Sequence, residues 1–386
     1  MSSGTIYRRV TPAGAASWVA HTTWQEGGRR RQAKRSFRTK KEAQAALTEQ
    51  LAAHQTGSFV VPSRMPLRNF VEPWFAGLTI QGRKRTTLHG YRKTLNAYVL
   101  PGLGDVSLQD LTAADLDLLY STLLKSGGRS GTGLSLTSVH HVHAVINKLL
   151  HDAERKGLVL RNVARLANAP SLTTARSKGP EMKVWTPKEL SMFLRSIEAN
   201  RNEAMFRLLA LTGMRRSEVV GLRWSDVDLR AGTITIAQAA TVVDGDEVID
   251  VPKTRRSRRS IDVDPKSAAI LQRHRNEQRV LMLKLGVTAT ASDRVFTNEI
   301  GDPIRPHSIG QAFGRLITKA GVPKIRLHDL RHTHATHLLI AGFNIKIVSE
   351  RLGHASVSFT LDTYAHVMPG QQAEAAAAAA ALLEEQ

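Results

Sequence analysis

The sequence predicts a multidomain, mainly α protein. It reads as a small α+β N-terminal unit (a three-stranded sheet plus a helix), an all-helical middle domain, and a mixed, mainly α C-terminal domain with a small antiparallel sheet. Three observations predict this. Short β-forming stretches separated by turn residues open the chain. Helical spacing of apolar residues governs 65–170. A linker-like segment, Ala169–Lys183, is followed by mixed helix and strand patterns. A chain of 386 residues, at roughly 100–200 residues per domain, has room for two to four separate cores.

In chain order, Thr5–Val10, Ser17–Trp24 and Arg30–Phe37 read as strands parted by the turn-forming TPAG and EGG. Thr39 and Glu42 form a capping box that opens a helix through His54, and Thr56-Gly57 ends it. Helices follow near Leu67–Gly77, Thr86–Val99, Thr112–Leu124 and Leu136–Lys156, broken by PGLGD and SGGRSGTG. Beyond the linker, Thr186, Pro187 and Glu189 combine an N-cap, a first-turn proline and a capping-box glutamate. A helical pair comes next, then Gly232–Ala237, Val248–Val251 and Arg259–Val263 as one small sheet. Helices resume from Pro265, and the alanine run Ala375–Ala381 marks a C-terminal helix.

Charge narrows the function. The net charge of +21 is spread as +8 over residues 1–64, +6 over 65–170 and +10 over 171–370, with −3 over the last sixteen. Basicity in every folded segment suits a polyanion that runs past several domains, because phosphate neutralisation releases counterions. Arg outnumbers Lys 37 to 17, which suits bidentate phosphate contacts. Candidate DNA contacts are Arg29, Arg30, Arg31, Lys34, Arg35, Arg38, Lys40 and Lys41 on the third strand and the first helix. A second cluster is Arg83, Lys84, Arg85, Arg92 and Lys93, and a third is Arg255, Arg256, Arg258 and Arg259. The absence of cysteine excludes a disulfide frame, a thiol nucleophile and a thiolate metal site. No apolar run approaches the ~20 residues of a membrane span, and MSSGTIYRRV lacks a signal-peptide core, so a cytoplasmic protein is expected. The histidines of residues 136–156 lack carboxylates at ligand spacing. His328 and His332, four apart, come without an HExxH glutamate and with Arg331 among the would-be ligands. Neither a metal nor a cofactor is expected.

Four stretches in 171–370 carry the chemistry. They are Thr212-Gly-Met-Arg215-Arg-Ser-Glu218, Pro252-Lys253-Thr254 in an Arg-rich turn, His328-Asp-Leu-Arg331-His332-Thr333, and Leu352-Gly-His354 with Tyr364 ten residues on. In order and spacing they resemble the tyrosine recombinase (phage integrase) family, with the lambda-type integrases similar over the whole chain. The resemblance implies an arm-type DNA-binding domain over 1–60 and a helical, SAM-like core-binding domain over 65–168. A linker follows over 169–183, then a catalytic domain over 184–370 and a C-terminal helix or tail over 371–386.

The residue types suit metal-free phosphodiester transfer. Arg215 and Arg331 are permanently charged forks for the non-bridging oxygens, where extra charge collects in the transition state. Tyr364 is the nucleophile that stores the bond as a phosphotyrosine, and its ordinary pKa of ~10 calls for a proton acceptor, for which His328 is the candidate. Lys253 is the proton donor to the departing 5′ oxygen. His354 bonds the scissile phosphate, and Glu218 orients Arg215 as a supporting residue. The expected function is a site-specific DNA recombinase (integrase) of a phage or mobile element in a bacterial host, acting through a 3′-phosphotyrosine link. The alternatives are a non-catalytic DNA-binding regulator and a type IB topoisomerase-like relaxation activity. The resemblance implies double-stranded DNA with core and arm attachment sites, a homotetramer on DNA whose C-terminal helix packs on a neighbour, a host DNA-bending protein and an excisionase. It implies no membrane partner.

Overall fold

The computed structural model describes residues 3–10, 16–26, 29–55, 59–128, 130–177, 182–250 and 258–367, with Ala376 and Ala380 beyond them. The chain divides into two compact units, residues 1–180 and 181–386.

In the first unit, β1 (Ser3–Val10), β2 (Ala16–Glu26) and β3 (Arg29–Phe37) form an antiparallel sheet in that order. β2 and β3 are in the register Trp18↔Phe37, His21↔Lys34 and Trp24↔Arg31. Helix α1 (Lys40–Gln55) opens on the Thr39/Glu42 box: each residue's side chain accepts from the other's backbone nitrogen. Ala43 and Leu47 bury against Ala20, Ile6, Trp18 and Phe37. Side chains alternate across a strand, so the basic third strand is split between two faces. Arg31 and Arg35 share the face of Phe37, which packs on α1, while Arg30 and Lys34 point the other way beside the His21–Gln32 hydrogen bond (2.9 Å). The Thr56-Gly57 stop lies outside the described residues.

The helical part comprises α2 (Leu67–Ile80), α3 (Arg85–Thr94) running through a π-helical turn at Leu95–Val99 into α4 (Leu100–Leu103), α5 (Ala113–Ser126) and α6 (Leu136–Arg155). Its core is built from Phe70, Trp74, Leu95, Leu116, Tyr120 and Leu149. One buried carboxylate, Asp152, is satisfied by Trp74 Nε1 (2.8 Å) and Lys148 Nζ (2.7 Å). The segment expected to be an open linker contains a short helix, α7 (Leu172–Ser177). His140 Nδ1 lies 2.7 Å from Pro170 O just before it.

In the second unit, α8 (Pro187–Ser196) starts on the Thr186/Glu189 capping box and is followed by α9 (Glu203–Thr212) and α10 (Arg216–Gly221). The strands differ from the single sheet expected. β4 (Val227–Asp228), β5 (Thr233–Ile236) and β8 (Arg259–Asp262) form one sheet. β6 (Ala239–Val243) and β7 (Asp246–Asp250) form a separate hairpin. The hairpin turns on Asp244 (φ 54°) and Gly245 (φ 91°), the left-handed pair that a two-residue turn demands. Then come α11 (Pro265–Lys284), α12 (Pro306–Ala320), α13 (Asp329–Ile340), α14 (Ile345–Leu352) and α15 (Val357–Tyr364). Trp185, Phe193, Phe206 and Phe313 stack at the centre of the core, and Leu208, Leu209 and Leu330 bury beside them, which makes α9 and the start of α13 rigid. No helix among the described residues is long and apolar enough to cross a membrane.

Candidate active site

The site is assembled where α9, α10, α13, α14 and α15 end or begin. Helix α9 stops at Gly213, whose φ of 66° is left-handed. A Cβ there would lie 2.6 Å from Leu352 Cδ2 and 2.9 Å from His334 Cδ2, so only glycine lets the turn pass between α13 and α14. The Gly213 carbonyl accepts from Arg331 Nη1 at 2.7 Å. Two residues later, Arg215 becomes the N-cap of α10. Its backbone nitrogen donates to Glu218 Oε2 (2.8 Å), its Nη1 to Glu218 Oε1 (2.8 Å) and its Nη2 to Gly353 O (3.0 Å).

Glu218 is 5% exposed and is clasped from its other side by Arg259, whose Nη1 and Nη2 lie 3.0 and 2.9 Å from its two oxygens. Burial alone would raise this carboxyl, yet the Arg259 and Arg215 guanidinium groups hold it below the usual carboxylate range. Arg259 Nε donates in addition to Arg351 O at 2.7 Å. The expectation that Arg259 grips DNA phosphate is therefore corrected. Its side chain is 7% exposed and all three of its nitrogens donate inside the domain, because β8 turns it inward.

Arg331, 3% exposed, lies one turn into α13. Its Nη2 is buried with no hydrogen-bond partner among the described residues. Burial, reinforced by Arg215, pushes its pKa down to about 9, which leaves it cationic at neutral pH. An unspent donor on a buried cation is able to bond an anion. Arg215, Arg216, Arg326 and His328 line an adjoining cleft of about 560 Å³.

His328 is the residue preceding α13, and burial and Arg331 lower its pKa. His354 follows Gly353, the left-handed cap of α14. Its Nδ1 lies 2.8 Å from Thr360 Oγ1, and burial pushes it down to about 4. Tyr364 closes α15. Only 1% of it is exposed, its ring packs on Ala335, Leu339, Val348 and Leu352, and burial pushes its hydroxyl up to about 12. The phenol oxygen is hydrogen-bonded to His332 Nδ1 at 2.8 Å, where His328 was the expected partner. The His328 and His332 rings are perpendicular, with centroids 5.0 Å apart. The sequence signal for His332 was its place beside Arg331 and four residues after His328.

Lys253, Arg255 and Arg256 lie outside the described residues, and Arg258 is exposed. Arg30, Lys34, Arg38, Lys40, Lys41, Arg83, Arg85, Arg92 and Lys93 are exposed, whereas Lys84 is half-buried. Arg92 is also held by Glu72 and lies over the Phe75 ring at 4.3 Å. No group of three or more His, Cys, Asp or Glu side chains among the described residues could hold a metal ion.

The phage integrase family matches residues 183–370, the stretch that contains every side chain of this cluster. This stretch is a phage integrase family domain. The chain is a tyrosine-type recombinase, 27% identical over 352 residues to a XerC-like tyrosine recombinase of Caldanaerobacter subterraneus, covering 88% of both chains. It is 30% identical over 247 residues to the ICEBs1 integrase of Bacillus subtilis, covering 64% of this chain and 66% of that protein. Among solved structures, the Tn1549 transposon integrase in complex with a circular intermediate DNA has the same fold (TM-score 0.67, 20% identity, 83% of this recombinase and 99% of that chain). Lambda integrase as a dimer on a core site shares the fold over 92% of this chain and 93% of its own (TM-score 0.55, 15% identity).

Proposed function

We propose that this recombinase is an integrase that cleaves and rejoins double-stranded DNA through Tyr364. The observation that carries the reading is the unspent Arg331 Nη2, held beside Arg215 in the domain whose helix α15 ends on a hydrogen-bonded tyrosine. The scissile phosphodiester would sit between the two guanidinium groups, which match the charge of a phosphorane-like transition state. Tyr364 Oη forms the new bond to phosphorus, a 3′-phosphotyrosyl link results, and the 5′ oxygen leaves with a proton from Lys253. His354 bonds the phosphate, and its depressed pKa keeps it neutral at pH 7. Two rounds of exchange between two duplexes need four nucleophiles, which supports a tetramer on DNA.

A nicked suicide substrate carrying the attachment core tests the reading. The wild type forms a covalent adduct that survives EDTA, and Tyr364→Phe forms none. An adduct in Tyr364→Phe places the nucleophile elsewhere, and abolition by EDTA reinstates a metal.

For the N-terminal unit we propose arm-site binding by residues 1–60, supported by the Arg30 and Lys34 face turned away from α1. Deleting those residues leaves core-site cleavage intact and blocks integration; normal integration by the truncated chain would refute the assignment.

A further inference from the structure

The phenol–imidazole contact goes further than the six side chains of the proposed site. The geometry points to His332 as the proton acceptor for Tyr364 in strand cleavage, and as the donor that returns this proton when the link is reversed. The inference rests on the recombinase reading above and names the base for it.

Three features support it. First, Nδ1 of His332 is 2.8 Å from Tyr364 Oη, within the reach that a general base requires. His328 meets His332 in a T-shaped ring contact at a centroid distance of 5.0 Å. Second, both partners are poised in the forms that the step needs. Burial, with His328, Arg331 and Arg326 adding positive charge and Asp329 opposing it, holds His332 neutral with a pKa of about 4. Tyr364 stays a neutral phenol. His354, from the α14–α15 turn, is the remaining titratable group that feels His332. Third, burial is the main reason that His332 is a weak base, and the charge of Arg331, which a phosphodiester would offset, adds to it. Binding DNA between Arg215 and Arg331 adds a negative charge and raises the basicity of His332 at the moment it is needed.

The step balances. The Tyr364 O–H bond breaks and its proton goes to His332 Nδ1 while the oxygen lone pair forms the bond to phosphorus. The P–O5′ bond breaks, and the 5′ oxygen takes a proton from Lys253. On rejoining, the incoming 5′ hydroxyl returns its proton to Lys253, and the His332 imidazolium returns its own to the departing phenolate.

The test is single-turnover adduct formation on the suicide substrate between pH 6 and pH 9. Wild-type rates are nearly flat, because His332 is neutral throughout. In His332→Asn, which keeps a hydrogen-bonding side chain without a base, the rate at pH 7 falls by about 10²–10⁴-fold and rises about tenfold per pH unit, as hydroxide does the deprotonation; DNA affinity is unchanged. A wild-type rate in His332→Asn overturns the inference, since the contact would then be only a clasp on the tyrosine. So does a loss that pH does not recover, or the pH-recoverable loss arising in His328→Asn instead. Nitrogen-15 shifts of the folded wild type give a second reading that needs no variant. An unprotonated Nδ1 on His332 supports the acceptor role, and a protonated one, which would make His332 the donor to Tyr364, refutes it. If the wild type itself forms no adduct, it is the recombinase reading that fails.

Discussion

Arg331→Met abolishes adduct formation, by at least about 10³-fold, while the domain melts no earlier than the wild type. The two halves of this result have one cause. Arg331 is buried, its Nη1 is spent on Gly213 O, and its Nη2 has no hydrogen-bond partner among the described residues. Folding thus buries a cation with a donor left over, and its pKa is depressed to about 9 as a consequence. Replacing it with an apolar side chain of similar length removes that cost, which offsets the roughly 1–3 kcal/mol lost when Gly213 O is left without its donor. A phosphate oxygen supplies the missing partner, so the stability given up in the free protein becomes affinity for the charge that develops at phosphorus. Arg331→Lys also fails, because one ammonium cannot bond Gly213 O and a phosphate oxygen in the geometry of a planar fork. Thermal melting and single-turnover cleavage of the same preparations check both halves. A large fall in melting temperature, or lost DNA binding, would make Arg331 an ordinary structural or backbone-gripping residue.

The sequence was most informative where the determining interaction is local. The two capping boxes at Thr39/Glu42 and Thr186/Glu189 span three residues each, and both helices start there. Gly213, Arg215 and Glu218 form a short cap-to-cap segment, and the pairing of Arg215 with Glu218 was legible for the same reason. Interactions set by distant residues were not legible. β6 begins Ala239-Ala240, two residues of low strand preference, and pairs with β7 because the Asp244-Gly245 turn folds it back. The sequence reading placed β7 in the sheet of β5 and β8, because without β6 its true partner was missing. Arg259 belongs to a run of arginines that looks uniformly solvated. Only its pairing position opposite Ile236 shows that it enters the protein. His332 could not be distinguished from His328 by spacing, since its role depends on a tyrosine 32 residues away.

Arg259→Leu is expected to cost both stability and catalysis, in the opposite pattern to Arg331→Met. The Arg259 fork neutralises Glu218, 5% exposed, and its Nε ties the end of α14 through Arg351 O. Removing it leaves a buried carboxylate whose remaining cation partner among the described residues is Arg215, and orphans a carbonyl. Breaking one side of a buried pair destabilises by about 3–5 kcal/mol. Catalysis falls with it, because Glu218 and the α14 cap carbonyl of Gly353 are the two groups that aim Arg215. A displacement of about 1 Å in such a group is enough to slow chemistry by about 10²-fold. The double variant Glu218→Gln, Arg259→Leu separates the two effects. With the buried charge gone, much of the melting temperature returns, while cleavage stays slow because the ionic brace on Arg215 is still missing. Melting curves and adduct rates for the wild type, the two single variants and the double variant complete the cycle. If Arg259→Leu retains wild-type melting and cleavage, the buried network does not position Arg215, and the arginine fork must be held by Gly353 alone.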